Sequence, residues 1–173
     1  MKKASLLAPL MLLTLTACSQ STSINHQDKP KEPKTEQTQT SKTIDNSKYN
    51  DVIKQIKKGI DPDDTGMFTV EVQNNLVDSD FPKGHNVIKV LLVGDAKTEG
   101  KKYLDAINSN TATTEQSDII NMFRTTVSDC AKNLPDDTTT IDFGYEIADN
   151  QYELIAKSSK VKDYIEIGDL NLN

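Results

Sequence analysis

Alternating apolar and polar residues are typical of strands that bury one face. Three stretches show this alternation, Phe68 to Val72, Ile141 to Tyr145 and Tyr152 to Ala156, and Asp149-Asn150 predicts a turn between the last two. The stretch from Val87 to Val93 is apolar on nearly both faces, so we expect it to lie centrally in the sheet. Four strands are therefore predicted.

Helical spacing of about 3.6 residues appears in three other stretches. Ser47 is a good N-cap for a first helix, which we expect to end at Gly59. A second helix is predicted from Ala96 to near Asn108. Between these helices, the loop through Asp78 to Asn86 is expected to lead into the central strand.

The third helix has the clearest boundaries. It begins around Thr113 or Thr114, where Thr113 and Gln116 fit a capping box, and Pro135 stops it. Its apolar stripe consists of Ile119, Ile120, Phe123, Val127, Cys130, Ala131 and Leu134. Cys130 lies on this stripe, which predicts a buried structural thiol rather than a reactive one.

The order of elements is helix, strand, strand, helix, helix, strand, strand. Strands interrupted by a helix pair favour an α+β fold: a two-layer sandwich whose roughly four-stranded, mostly antiparallel sheet carries the helices on one face. Residues 47–173 are expected to form this single domain. The pattern YIEI at residues 164–167 predicts either a short edge strand or a docked tail.

The amino terminus carries a different pattern. Lys2 and Lys3 precede an apolar stretch from Leu6 to Leu15, with small residues before Cys18, which are the three parts of an export signal. The apolar stretch is shorter than the roughly 20 residues that a membrane-spanning helix needs. Residues 1–17 are therefore predicted to be a signal peptide.

Leu15-Thr16-Ala17-Cys18 resembles the lipobox of bacterial lipoproteins. The resemblance implies that the thiol of Cys18 receives a diacylglyceryl group, that the chain is cleaved between Ala17 and Cys18, and that the product is lipid-anchored on the outer face of the cell membrane. The alternative is a plain secretory signal with an incidental cysteine. No family resemblance is found for residues 47–173.

Residues 18–46 are rich in Ser, Thr, Gln, Lys and Pro and contain almost no apolar residues. Such a segment cannot bury enough surface to fold, so we expect a disordered tether behind the lipidated cysteine. The lysine-rich, arginine-poor composition resembles that of low-GC Gram-positive bacteria.

The net charge is −6 for the 173 residues. Removing residues 1–17 removes Lys2 and Lys3 and no acid, leaving 18 basic against 26 acidic residues, a net charge of −8. An acidic surface argues against nucleic acid or anionic lipid as a partner of the general surface. With 35% hydrophobic residues, the chain has room for one modest core.

One stretch approaches a phosphate-binding loop, which requires Gly, four residues, Gly-Lys and then Ser or Thr. Here five residues separate Gly94 from Gly100, and Lys102 stands where the hydroxyl should be. A strand end followed by a lysine-rich helix start is the better interpretation.

Residues 61–66, DPDDTG, are similar to the start of a calcium loop, but Val72 occupies the position of the required bidentate glutamate. A tight turn is expected instead. Zinc is also disfavoured, since too few His and Cys ligands remain once Cys18 is lipidated. We predict no metal and no cofactor.

Hydrolytic chemistry has few candidates. His85 is the one histidine of the folded body and is expected to be a solvated loop residue. A Ser-His-Asp arrangement stays open because triads are spatial, but no serine lies in a Gly-x-Ser-x-Gly motif. The acidic pairs Asp136-Asp137 and Asp78 with Asp80 are expected to be solvated loop carboxylates. We therefore predict no catalytic residues and no enzyme.

These features favour a small, lipid-anchored, non-enzymatic binding module with an unidentified protein or cell-wall ligand. A protective lipoprotein that blocks a phage or toxin at the membrane is the alternative. A small cell-wall-active enzyme is the third, disfavoured by the residue inventory.

Overall fold

The computed structural model describes residues 44–169. Within this range a 3-10 turn (Ser47–Tyr49) is followed by seven elements in chain order: α1 (Asn50–Ile60), β1 (Phe68–Leu76), β2 (His85–Leu92), α2 (Gly94–Asn108), α3 (Thr114–Ala131), β3 (Thr140–Ala148) and β4 (Gln151–Ser159). The predicted order of elements is confirmed.

The four strands form one sheet in the order β1-β2-β3-β4. β1 pairs antiparallel with β2, and β3 pairs antiparallel with β4. The central pair, β2 and β3, is parallel, because α2 and α3 carry the chain back across the sheet between them. The predicted mostly antiparallel α+β sandwich is confirmed, and β2 is an inner strand as expected.

A single apolar core lies between the helices and one face of the sheet, which we call the helix face. Several elements contribute buried side chains: Tyr49 from the 3-10 turn, Ile56 from α1, Ile88 and Val90 from β2, Ile120 and Val127 from α3, and Ile141 and Phe143 from β3. The thiol of Cys130 is buried here, as predicted, and burial raises its pKa.

α3 begins as the sequence predicts. The Gln116 backbone N–H donates to Thr113 Oγ1 at 3.3 Å, and the Thr113 N–H donates to Gln116 Oε1 at 2.9 Å. This capping box satisfies backbone donors that the first turn cannot pair internally.

Two glycines have roles that the sequence interpretation missed. Gly59 does not end α1, which continues to Ile60; a Cβ at Gly59 would lie 2.6 Å from Thr126 Cγ2, so its hydrogen allows α1 and α3 to approach closely. Gly100 lies in the middle of α2, where a Cβ would lie 2.6 Å from Leu92 Cδ1. The stretch that approaches a phosphate-binding loop is therefore mostly helix.

The predicted inward face of β4 is wrong for its first half. Phe143 pairs with Ala156 whereas Gly144 pairs with Leu154, so Ile155 is an extra residue in β4. This bulge directs Ile155 into the core and turns Tyr152 and Leu154 onto the opposite sheet face. Arg124 Nε donates to the Ile155 carbonyl oxygen at 3.0 Å, which ties α3 to the bulge.

Residues 164–167 form a docked tail, one of the two predicted alternatives, within a segment of residues 160–169 that adds no further strand. The Tyr164 N–H donates to the Lys157 carbonyl at 2.8 Å, which covers the outer edge of β4. Asn121 Nδ2 of α3 donates to the Asp169 carbonyl at 2.9 Å.

None of the helices in residues 44–169 is long and apolar enough to cross a membrane. The predicted signal peptide, Cys18 and almost all of the predicted tether lie outside the described residues.

Candidate functional site

Charged residues lie in register across the sheet face that carries no helices, which we call the open face. Glu71 of β1 pairs with Lys89 of β2, Lys89 with Asp142 of β3, and Asp142 with Lys157 of β4. Lys89 is 7%, Asp142 8% and Lys157 8% exposed. Near-complete burial of charged side chains is unusual on a sheet face without helices, because charges are costly to remove from water.

The loop of residues 77–84, between β1 and β2, covers one end of this row. Lys157 Nζ donates to Asp78 Oδ2 at 2.9 Å and to Asp80 Oδ2 at 2.8 Å. Burial by itself would raise the pKa of Asp78, but the Lys157 hydrogen bond and the Phe81 N–H outweigh burial and lower it. For the Lys157 ammonium, burial would lower the pKa, and its hydrogen bonds to the two aspartates raise it.

His85 lies beneath the same loop. Its ring stacks on Phe81 with centroids 4.1 Å apart, and it is 4% exposed. Nε2 lies 3.2 Å from Asp78 Oδ2, but the geometry is poor, and neither ring nitrogen makes a hydrogen bond within residues 44–169. The expected solvated loop histidine is wrong, because β2 begins at His85 and the loop folds over it.

The acidic pairs also differ from expectation. Asp78 and Asp80 are not simply solvated, since both bind Lys157. Asp136 accepts the Thr139 N–H at 2.7 Å and binds Lys48 at 3.3 Å. Burial would raise the pKa of Asp136, but these hydrogen bonds lower it to about 2. Asp137 is exposed, as predicted.

The predicted tight turn at residues 61–66 is confirmed. Asp61 accepts N–H groups from Thr65 at 2.8 Å and Gly66 at 2.9 Å, and the Thr65 hydroxyl at 2.9 Å. The hydrogen bond from the Thr65 N–H contributes most to lowering the pKa of Asp61, and the other bonds lower it further. The Asp61 carboxylate thus stabilises the turn of residues 61–66.

A cavity of about 310 Å³ lies on the open face, towards the β3–β4 turn. It is lined by Gln73, Leu76, Val87, Lys89, Asp142, Asn150, Tyr152 and Leu154. The Lys89 ammonium lies 4.0 Å from the centroid of the Tyr152 ring. The Thr140 hydroxyl donates to Asp142 Oδ1 at 2.7 Å; burial raises the pKa of Asp142, and this hydrogen bond offsets only part of the rise.

This arrangement is suited to binding polar groups. In residues 44–169, no group of three or more His, Cys, Asp or Glu side chains is placed to hold a metal ion. His85 Nε2 faces a carboxylate that is already bound to Lys157, rather than a hydroxyl or thiol that it could activate.

The sequence interpretation did not single out Lys89, Asp142, Tyr152 or Lys157. A signal was present, because Lys89 interrupts an apolar strand and Asp142 lies between two core residues, Ile141 and Phe143. In a strand with one face in the core, a charge ordinarily lies on the solvated face, so this signal did not indicate that Lys89 and Asp142 are nearly buried. Nothing in the sequence indicated that the four residues meet.

Comparison of the chain with protein-family models, with curated protein sequences and with solved structures finds no match. The function therefore has to be argued from the lipobox resemblance and from the open face.

Proposed function

We propose that this chain is a lipid-anchored protein on the outer face of the cell membrane that acts as a small non-enzymatic binding module. The anchor is the diacylglyceryl group expected on Cys18. The binding site is the cavity of the open face. The observation that carries the proposal is a cavity lined by two nearly buried charged residues, Lys89 and Asp142, that form no ion pair with each other or with another described residue.

The composition of the cavity supports binding. Ligand sites are mostly apolar with a few placed polar groups. Here Val87, Leu154 and the Tyr152 ring supply apolar surface, while Lys89 and Asp142 supply charge. The position of His85 beneath Phe81 supports a non-enzymatic role, because its ring does not reach solvent in this arrangement.

A protein partner is the second candidate, as expected of a protective lipoprotein. β1 is an edge strand with no neighbour on its outer side within the described residues, whereas the docked tail covers part of the β4 edge. Edge strands present unpaired backbone groups to which a partner strand can add. A crosslinked complex mapped to β1 and unaffected by changes at Lys89 would favour this candidate over the first.

The binding proposal is tested by thermal unfolding of the full chain in detergent micelles with glucose, citrate, spermidine, leucine and trialanine. A ligand at ten times its Kd stabilises the folded state by about 1.4 kcal/mol, which raises the Tm by several degrees. We expect at least one compound to raise the Tm of the wild type but not of Lys89→Met. Lys102→Met, on the exposed surface of α2, is the control. No shift with any compound would contradict the proposed site.

A further inference from the structure

The Lys89 side chain is nearly buried, and its ammonium, which lies at the cavity wall, has no carboxylate partner among the described residues. Its ammonium makes no hydrogen bond or ion pair with the described residues, and it lies 4.0 Å from the centroid of the Tyr152 ring. Glu71, its register neighbour, is exposed and accepts instead from Gln73 Nε2 at 3.4 Å. An uncompensated charge at a cavity wall favours a ligand that brings the opposite charge.

Asp142 also lacks a direct ion pair with the described residues. Burial raises its pKa, whereas the nearby Lys157 ammonium favours the charged carboxylate. Asp142 Oδ1 accepts the Thr140 hydroxyl, while its second carboxylate oxygen accepts no hydrogen bond from the described residues. Lys157, its register neighbour, is directed to Asp78 and Asp80 instead. The cavity thus presents one ammonium and one carboxylate, and the two do not form an ion pair.

The rest of the cavity fits a small amphipathic molecule. Its volume of about 310 Å³ lies at the lower end of the range of about 300–1,000 Å³ for ligand sites. Leu76, Val87 and Leu154 supply apolar contacts, while Gln73 and Asn150 supply amides at the wall. A small ligand therefore needs a negative group, a positive group and an apolar part.

We propose that the open-face cavity binds an α-amino acid with an apolar side chain, with its carboxylate at Lys89 and its ammonium at Asp142. The apolar side chain contacts Val87 and Leu154. This inference rests on the proposed binding function and names the ligand class of the same site.

Three related probes separate the two charges. L-leucine carries both, N-acetyl-L-leucine lacks the ammonium, and L-leucinamide lacks the carboxylate. Each is titrated into the ¹⁵N-labelled full chain in detergent micelles and followed by NMR. We expect leucine to bind saturably, with shifts at the amides of Val87 to Leu91 and Tyr152 to Leu154, and both analogues to bind at least tenfold more weakly.

Variants assign the charges to residues. Lys89→Met and Asp142→Asn should each weaken leucine binding at least tenfold. Lys102→Met and Asp95→Asn, at exposed positions of α2, should leave binding unchanged. The probe series is measured on the wild type, so it tests the proposal even where a variant fails to fold.

Two results would overturn the inference: no saturable leucine binding up to 50 mM, or equal affinity for leucine and N-acetyl-L-leucine. Failure of leucine together with a Lys89-dependent Tm shift from glucose, citrate, spermidine or trialanine would reject the amino-acid ligand and leave the proposed binding function standing. Failure of every compound would reject both.

Discussion

Gly144 is the residue on which the geometry of β4 depends. A Cβ at this position would overlap the Glu153 carbonyl oxygen and lie 2.9 Å from Leu154 Cα. Both are backbone atoms, so no side-chain rotation relieves the overlap. The close approach occurs where the bulge adds Ile155 to β4.

We expect Gly144→Ala to lower the free energy of unfolding by about 3 kcal/mol, because the bulge has to shift to admit a methyl group. Gly66→Ala is the control: Gly66 has φ 76° and no atom within 4 Å of a built Cβ, so only backbone strain of about 1 kcal/mol is expected. Urea unfolding followed by circular dichroism measures both. An equal loss in the two variants would contradict the steric role of Gly144.

At the scale of elements, the loop of residues 77–84 is held by Lys157. The ammonium is the shared donor to Asp78 and Asp80, and its side chain is 10% exposed. Its contacts join the loop to β4, which is separated from β1 by two strands. Phe81 of this loop in turn stacks on the His85 ring and covers it.

Lys157→Met should therefore loosen the loop and lower the free energy of unfolding by about 1–3 kcal/mol, since two aspartates lose a charged hydrogen-bond donor. Hydrogen exchange measured by mass spectrometry should become at least tenfold faster in residues 78–84. Lys101→Met removes only the exposed Lys101–Asp105 pair and should leave the free energy of unfolding nearly unchanged. Unchanged hydrogen exchange in residues 78–84 of Lys157→Met would contradict the role of Lys157 in holding the loop.

For the whole molecule, the sequence predicts attachment to the membrane through a lipid on Cys18. Two or more acyl chains make attachment durable where one is marginal, at about 0.8 kcal/mol per buried CH₂. Without the lipid, a body of net charge −8 has no electrostatic attraction to an anionic surface.

Cys18→Ala should accordingly leave the precursor uncut and unlabelled by radioactive fatty acid, because the acceptor thiol is gone. The measurement is labelling of growing cells, followed by electrophoresis of membrane and culture fractions. Cys130→Ala, which removes a buried thiol, should be labelled normally. Efficient cleavage and release of the Cys18→Ala variant would contradict the lipoprotein proposal.

Much of the fold was predictable because local patterns decide it. Thr113 and Gln116 cap α3 through contacts within one turn, and the alternation from Phe68 to Val72 sets which face of β1 packs on the core. The prediction failed for Tyr152 and Leu154, because a one-residue bulge reverses the alternation and depends on the backbone of a neighbouring strand. Gly59 misled it about the end of α1, and the role of Gly100 was not predicted, because both glycines contact distant elements.

The sequence by itself determined the order of elements, the two-layer α+β class and the expectation of a lipid anchor at Cys18, since each rests on neighbouring residues. Only the tertiary structure determined which residues come together at the candidate site. Lys89, Asp142 and Lys157 are far apart along the chain and meet because α2 and α3 return it to place β3 parallel beside β2. Burial of charge on the open face is a property of that register and of the loop folded over it, and neither is encoded within any one segment.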